Sequence, residues 1–137
     1  MIRSISAVIL GIVAWFAVAT VGNALVRALL PGYSQVELAM DFTVPMQLAR
    51  LAAGLASSVC AGAVCASIAR QGRAVKVLAV AMFVLFLPGH YMVWAKFPVW
   101  YHAFFLLSLA PAVLAGAALR RRFASSVAAS SGPADAR

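Results

Sequence analysis

Acidic side chains are scarce in this 137-residue chain, which has three Asp and Glu residues against eleven Lys and Arg. Only 10% of its residues are charged, whereas 65% are hydrophobic, well above the roughly 45–50% found in soluble proteins. A soluble domain of this length could not bury so much apolar side chain and would aggregate. We therefore expect a single domain that uses lipid as its solvent.

Motifs for the common chemistries are also absent from the sequence. It has no phosphate-binding loop, no H-E-x-x-H, no nucleophile elbow and no C-x-x-C. No carboxylate lies within an apolar run, where it could relay protons. We therefore assign no catalytic residue and predict no cofactor.

Cysteine occurs twice, as Cys60 and Cys65, five residues apart in one apolar run. On a helix this spacing corresponds to a rotation of about 140°, so the two thiols point to different sides. A disulfide between them is excluded by that geometry. We interpret both as buried small hydrophobic residues.

Four long apolar runs make up most of the sequence. A helix needs about 20 residues to cross the hydrocarbon core, and in lipid a helix satisfies its own backbone. The predicted fold is therefore an all-α bundle of four membrane-spanning helices. The spans are residues 5–30, 45–69, 75–95 and 98–119.

Pro88 and Pro111 interrupt the third and fourth runs. Each proline should kink its helix and free a carbonyl one turn earlier, at Val84 and Leu107. The Ser108 hydroxyl is a candidate to compensate for the second lost bond.

Basic residues lie between the apolar runs and not on one face, which excludes nucleic acid as a partner. The positive-inside rule then predicts a bacterial cytoplasmic membrane, with both termini in the cytoplasm and residues 123–137 as a disordered cytoplasmic tail. A cleaved signal peptide ending near 17–19 is an alternative, but the apolar run continues to Leu30. The basic residues on the inner side are Arg3, Arg70, Arg73, Lys76, Arg120, Arg121 and Arg122.

Small residues recur every four positions on two of the predicted helices, a spacing that lets helix backbones approach closely. These stripes either pack inside one bundle or bind a second copy or another membrane protein. The residues are Gly54, Ser58, Gly62 and Ala66 on one helix, and Ser108, Ala112 and Gly116 on the other.

The connection between the first two spans contains Ser34 followed by Glu37, which fits a capping box. We predict a short amphipathic surface helix over about residues 35–41. Thr43 is the expected N-cap of the following span.

Arg50 falls in the first turns of that span, where the helix dipole disfavours a cation. It either extends to the membrane boundary or pairs with Glu37 or Asp41, the two acidic residues outside the tail. Asn23 and Arg27, near the outer end of the first span, raise the same question.

Residues 87–102, LPGHYMVWAKFPVWYH, hold both histidines, two of three tryptophans and two of three tyrosines. Anchoring at the lipid–water boundary explains the aromatic residues. It does not explain His90 and His102, which a short hairpin could bring together. Each is either a neutral histidine that bonds to a carbonyl or reaches interfacial water, or part of a shared metal, haem or proton-handling site.

Two functional classes follow. The first is a non-enzymatic accessory or scaffold subunit that acts through helix–helix contacts. The second is a small enzyme or carrier that handles a ligand, metal or proton at the outer ends of the third and fourth spans. Its candidate residues are His90, Tyr91, Tyr101 and His102, with Arg50, Glu37, Asp41 and Arg27 setting the charge.

Overall fold

The computed structural model describes residues 2–69 and 72–130, and all secondary structure in those residues is helical. Four of the helices are long and apolar enough to cross a membrane, which confirms the predicted all-α class and the predicted number of helices of that length and hydropathy. The helices are α1 (Ile2–Leu29), α2 (Tyr33–Val36), α3 (Val44–Ile68), α4 (Gly72–Met92) and α5 (Val99–Ser130), with a 3₁₀ turn at Trp94–Lys96.

Helix α3 is the centre of the bundle and packs along both α1 and α5, whereas α4 packs chiefly on α5. Glycine makes the closest of these approaches possible. A Cβ atom at Gly62 would overlap the Val113 carbonyl oxygen, and one at Gly116 would overlap the Val59 carbonyl oxygen. The backbones of α3 and α5 therefore touch, and only hydrogen fits between them.

The predicted stripes of small residues thus lie largely inside the bundle. Gly54 faces the Phe105 ring, which a Cβ would approach within 2.9 Å. Ser58 and Ala112 are buried, while Ala66 packs against the core and Ser108 is half-buried. Of the two alternatives for the stripes, contact within one chain is the one realised for most of these residues.

Two buried polar side chains at the centre of the bundle, Trp15 and Ser58, bond to each other. The indole of Trp15 donates to the Ser58 hydroxyl at 3.0 Å, and that hydroxyl donates to the Gly54 carbonyl at 2.8 Å. This arrangement links α1 to α3 at the centre of the bundle. A buried indole needs such an acceptor, because an unpaired buried donor is costly.

Basic residues gather at the end of the bundle where α1 begins and α3 and α5 carry their later turns. Arg3 donates to the Ile68 carbonyl at 2.7 Å, and Arg120 donates to the Ser67 hydroxyl at 2.9 Å. Arg70, which the charge count includes, lies outside the described residues.

Both prolines lie inside continuous helices, Pro88 in α4 and Pro111 in α5. Continuation of the third predicted helix past Pro88 is confirmed, and the kinks stay predictions. The proposed compensation is wrong, because the Ser108 hydroxyl donates to the Phe105 carbonyl at 3.0 Å and not to that of Leu107.

The predicted surface helix over residues 35–41 does not form. Only the single turn of α2 is helical, and Met40 has a positive φ of 57°, which interrupts any helix there. Gly32, at φ 79°, takes the N-cap position in place of Ser34, so the capping box is wrong as well. Tertiary contacts override the local signal, since Glu37 binds Arg27 of α1 instead of a backbone donor.

Three smaller predictions, on the cap of α3, the burial of the cysteines and the carboxyl-terminal tail, agree with the structure only in part. Thr43 is the N-cap of α3, but its side chain makes no capping hydrogen bond. Cys65 is buried as expected, whereas Cys60 is exposed, because it lies on the opposite side of the same helix. Helix α5 continues to Ser130, so residues 123–130 of the predicted disordered tail are helical, and residues 131–137 lie outside the described residues.

Candidate ligand-binding cavity

A chain of hydrogen bonds joins three elements at the end of the bundle opposite the clustered arginines. Its centre is Tyr33, which is 0% exposed. Arg50 on α3 donates to the Tyr33 hydroxyl, which donates to Asn23 Oδ1 on α1 at 2.9 Å. The Asn23 amide in turn donates to Glu37 Oε1 at 3.1 Å. The connection 30–43 is therefore tied to both α1 and α3 by polar contacts.

Glu37 is the acidic end of this chain. Arg27 donates to it through two hydrogen bonds, of 2.8 Å from Nε and 2.9 Å from Nη2. The hydrogen bond from Arg27, assisted by that from Asn23, holds the pKa of the Glu37 carboxyl below its usual value. Because the Arg27 side chain is half exposed, solvent screens this ion pair, and it contributes little to the stability of the fold. Its main effect is to hold the Glu37 side chain against α1.

Arg50 pairs with neither of its predicted carboxylates. Its guanidinium donates to Tyr33 and lies 4.7 Å from the centre of the Phe42 ring, a cation–π distance. Its Nε is buried, with no hydrogen-bond partner in the described part of the chain. Asp41 is exposed and takes part in no ion pair formed by residues 2–69 and 72–130. The predicted Arg50 ion pair is thus replaced by aromatic contacts.

His90 and His102 come together as the hairpin prediction required, but they bond to each other and not to a carbonyl. Their Nδ1 atoms are 2.8 Å apart and the rings are nearly perpendicular, at 83°. His102 is 1% exposed and lies under the stacked ring of Trp94, with its Nε2 buried and unpartnered among the described side chains.

A cavity of about 570 Å³ lies between the outer halves of α1 and α4, with α3 and α5 at its base. Its lower walls, those nearer the middle of the bundle, are aromatic. The ring centres of Trp15 and Phe86 are 4.4 Å apart. Phe105 meets Phe86 edge to face at 5.4 Å. Phe16 and Gly89, which also line the cavity, are exposed, so the cavity opens sideways between α1 and α4.

The upper end of the cavity is polar, so the space has an apolar and a polar part. Tyr101 lies between two of the polar groups, since it stacks on His90 and its hydroxyl is near the Arg50 guanidinium. A volume of this size, mostly apolar with a few converging polar groups, is typical of small-molecule sites. The polar lining residues are Asn23, Arg27, Glu37, Arg50, His90 and Tyr101.

Of the predicted site residues, the structure therefore gathers Arg27, Glu37, Arg50, His90 and Tyr101 at one cavity. His102 stands behind His90 and does not line it. Tyr91 is 81% exposed and points elsewhere, because it lies on another side of α4 from His90. Asp41 is also outside the cavity lining.

Sequence reasoning missed Tyr33 and the aromatic walls. Tyr33 follows a Pro-Gly pair in a short connection, where an exposed tyrosine is the ordinary expectation, and only the partners on α1 and α3 reveal its burial. Trp15 sits mid-helix, far from the aromatic hairpin, and a tryptophan at that depth was a possible signal.

Metal binding would rest on the two histidines alone. In the described ranges 2–69 and 72–130, no group of three or more His, Cys, Asp or Glu residues is close enough to hold an ion. Two nitrogens on opposite sides of one metal would be about 4 Å apart, whereas these are at hydrogen-bonding distance, 2.8 Å. The geometry does not fit axial ligation of a haem by both rings.

Comparison with known proteins adds no family: no family model, curated protein or solved structure matches this chain.

Proposed function

We propose that this protein is inserted in a bacterial cytoplasmic membrane, with the arginine-rich end and both termini in the cytoplasm. Four helices of sufficient length and hydropathy support insertion. The grouping of Arg3 and Arg120 beside the end of α3 supports the orientation, because cytoplasmic ends of spans carry excess Lys and Arg. The cavity then lies in the opposite, outer half of the bundle.

This topology is tested by fusing alkaline phosphatase, which is active only outside the cytoplasm, after residue 122 or within residues 93–98. We expect activity from the hairpin fusion and none from the carboxyl-terminal fusion. The reverse pattern would overturn the orientation and move the cavity to the cytoplasmic side.

We further propose that the protein binds a membrane-soluble amphiphile in the cavity. The observation that carries this proposal is the sideways opening, between α1 and α4, of a mostly apolar space with a few polar groups gathered at one end. An apolar chain would enter from lipid and contact Trp15, Phe86 and Phe105, while its polar head reached the upper residues. The function is thus ligand binding, as a carrier or as part of an enzyme.

The accessory-subunit interpretation stays a prediction. Its main support was the stripes of small residues. Gly62 and Gly116 of those stripes lie in the contact between α3 and α5 and are therefore not available to a partner. A partner would therefore have to bind the remaining exposed faces of the helices.

Ligand binding can be measured by fluorescence, since Trp15 lines the cavity and the other two tryptophans do not. In a Trp94→Phe/Trp100→Phe background reconstituted in lipid nanodiscs, we expect saturable quenching of Trp15 by a brominated long-chain amphiphile. We expect a Gly89→Phe change to reduce this quenching by obstructing the opening, because Gly89 lines the cavity and a Cβ there meets nothing within 4 Å, which leaves room for a ring.

The matched control is Leu87→Phe, which adds the same ring on the same helix at an exposed position outside the cavity lining. It should leave quenching unchanged. Quenching that rises linearly with the amount of probe, equally in both variants, would mean contact with bulk lipid only and would refute the proposal.

A further inference from the structure

Arg50 is a cation without a carboxylate partner at the polar end of the cavity. The cavity lining holds two arginines, Arg27 and Arg50, against one carboxylate, Glu37. Glu37 is engaged by Arg27 through two hydrogen bonds and interacts with the Arg50 charge only at longer range, which leaves Arg50 without an ion pair of its own within the described residues. A partly buried charge that lacks a counter-ion is unfavourable, and a bound anion would relieve that cost.

The contacts of Arg50 leave donors for such an anion. The guanidinium donates to the Tyr33 hydroxyl and lies near the Tyr101 hydroxyl, and its Nε is buried and unpartnered in the described part of the chain. The Tyr33 hydroxyl keeps its proton, which it donates to Asn23 at 2.9 Å, so it is uncharged and does not neutralise the cation. A guanidinium offers five N–H donors in a planar fork suited to an oxyanion.

The histidine pair supplies a further donor. In a neutral pair, one Nδ1 donates its proton to the other across the 2.8 Å contact. If His102 accepted, its buried Nε2 would carry an N–H with no partner, and orphaned N–H groups are rarer than orphaned acceptors. The favoured arrangement therefore has His102 as donor, which gives His90 a proton on Nε2. Since His90 lines the cavity, that N–H is available to a ligand.

We propose that the amphiphile bound in this cavity carries an oxyanion head, a carboxylate or phosphate on a long apolar chain, held jointly by the Arg50 guanidinium and the His90 Nε2–H. This inference rests on the proposed ligand-binding function and specifies the class of ligand. His102 acts as a positioning residue, because it sets the tautomer of His90 without touching the ligand. The aromatic walls below receive the chain.

The test compares a brominated long-chain fatty acid with its methyl ester in the Trp15 quenching assay, at a pH where the acid is ionised. The two probes share a chain and differ in charge. We expect the acid to bind at least about tenfold more tightly, the factor associated with a hydrogen bond to a charged group. Inorganic phosphate, which has no chain, should not compete at millimolar concentration.

Substitution identifies the groups responsible. Arg50→Gln should reduce the preference for the acid about tenfold or more, whereas Arg50→Lys, which keeps the charge, should retain part of it. Because Arg50→Gln also removes a hydrogen bond to Tyr33, the comparison of acid and ester on the unsubstituted protein stands as a test independent of folding. Nitrogen-15 NMR of labelled histidine should find the proton of His90 on Nε2 and that of His102 on Nδ1.

The outcomes separate the inference from the function on which it rests. Equal, saturable binding of acid and ester would refute the oxyanion head and leave amphiphile binding intact. Absence of saturable binding by either probe would refute both. Competition by inorganic phosphate would refute the requirement for a chain, and a His90 proton on Nδ1 would remove His90 from the donor set.

Discussion

Replacement of Gly62 by alanine tests the contact between α3 and α5 on which the bundle depends. The added Cβ would overlap the Val113 carbonyl oxygen, and the atom it meets is backbone, which cannot move without displacing α5. Overpacking of this kind costs typically about 1–3 kcal/mol, and a rigid neighbour places the expected value near 3. Alanine recovers about 1 kcal/mol through helix propensity, so we expect a net loss of about 2 kcal/mol.

The measurement is reversible unfolding of the purified protein in mixed detergent micelles, followed by circular dichroism. Gly89→Ala is the matched control, since a Cβ at Gly89 meets no atom within 4 Å. This variant should be as stable as the unsubstituted protein or slightly more stable, because only the propensity term changes.

A double variant sharpens the test. Gly116→Ala disturbs the same pair of helices from the other side, where its Cβ would overlap the Val59 carbonyl. Once the first Cβ has separated α3 from α5, the second should fit more easily. The loss of stability in the double variant should therefore be smaller than the sum of the losses in the two single variants. Gly62→Ala with undiminished stability would refute the close approach of the two backbones.

Two further predictions concern the polar chain at the outer end. Tyr33→Phe keeps the buried ring but removes the hydroxyl that joins Arg50 to Asn23, so thermal unfolding in detergent should reveal a loss of about 1–3 kcal/mol; an unchanged midpoint would mean that these contacts contribute nothing. Glu37, whose pKa lies below its usual value in the folded protein, contributes stability that is fully present above its unfolded pKa and is lost as the pH falls through its lower, folded pKa. Glu37→Gln should lack this acid-dependent component, and identical acid profiles for the two proteins would contradict the assignment.

The four long apolar helices could be predicted from the sequence because they follow from a local quantity, the hydropathy of about 20 consecutive residues. The boundaries in the structure differ from those expected by a few residues for the first two helices, and α4 begins at Gly72 and not at Val75. The pairing of His90 with His102 was likewise accessible, since a short hairpin brings together residues at equal distances from its turn.

The connection between α1 and α3 was not accessible in this way. Its sequence favours a capped helix over 35–41, yet Glu37 instead reaches Arg27, and Tyr33 is buried between two other helices. A capping box is worth about 1 kcal/mol, which is comparable to the contacts that replace it. Local rules cannot decide between terms of similar size when one of them depends on residues far away in the sequence.

By itself, the sequence determined that this chain is helical, how many apolar segments it has and at which end its positive charge accumulates, because these follow from composition and order along the chain. Only the tertiary structure decided which helix faces meet. It also decided that α1 and α4, which touch elsewhere along their length, leave a cavity between them towards the end opposite the clustered arginines. The same packing left Arg50 beside that space without a carboxylate. The physical reason is that the packing of apolar helices depends on the shapes of facing surfaces, and a single residue too small or too large changes which backbones can approach.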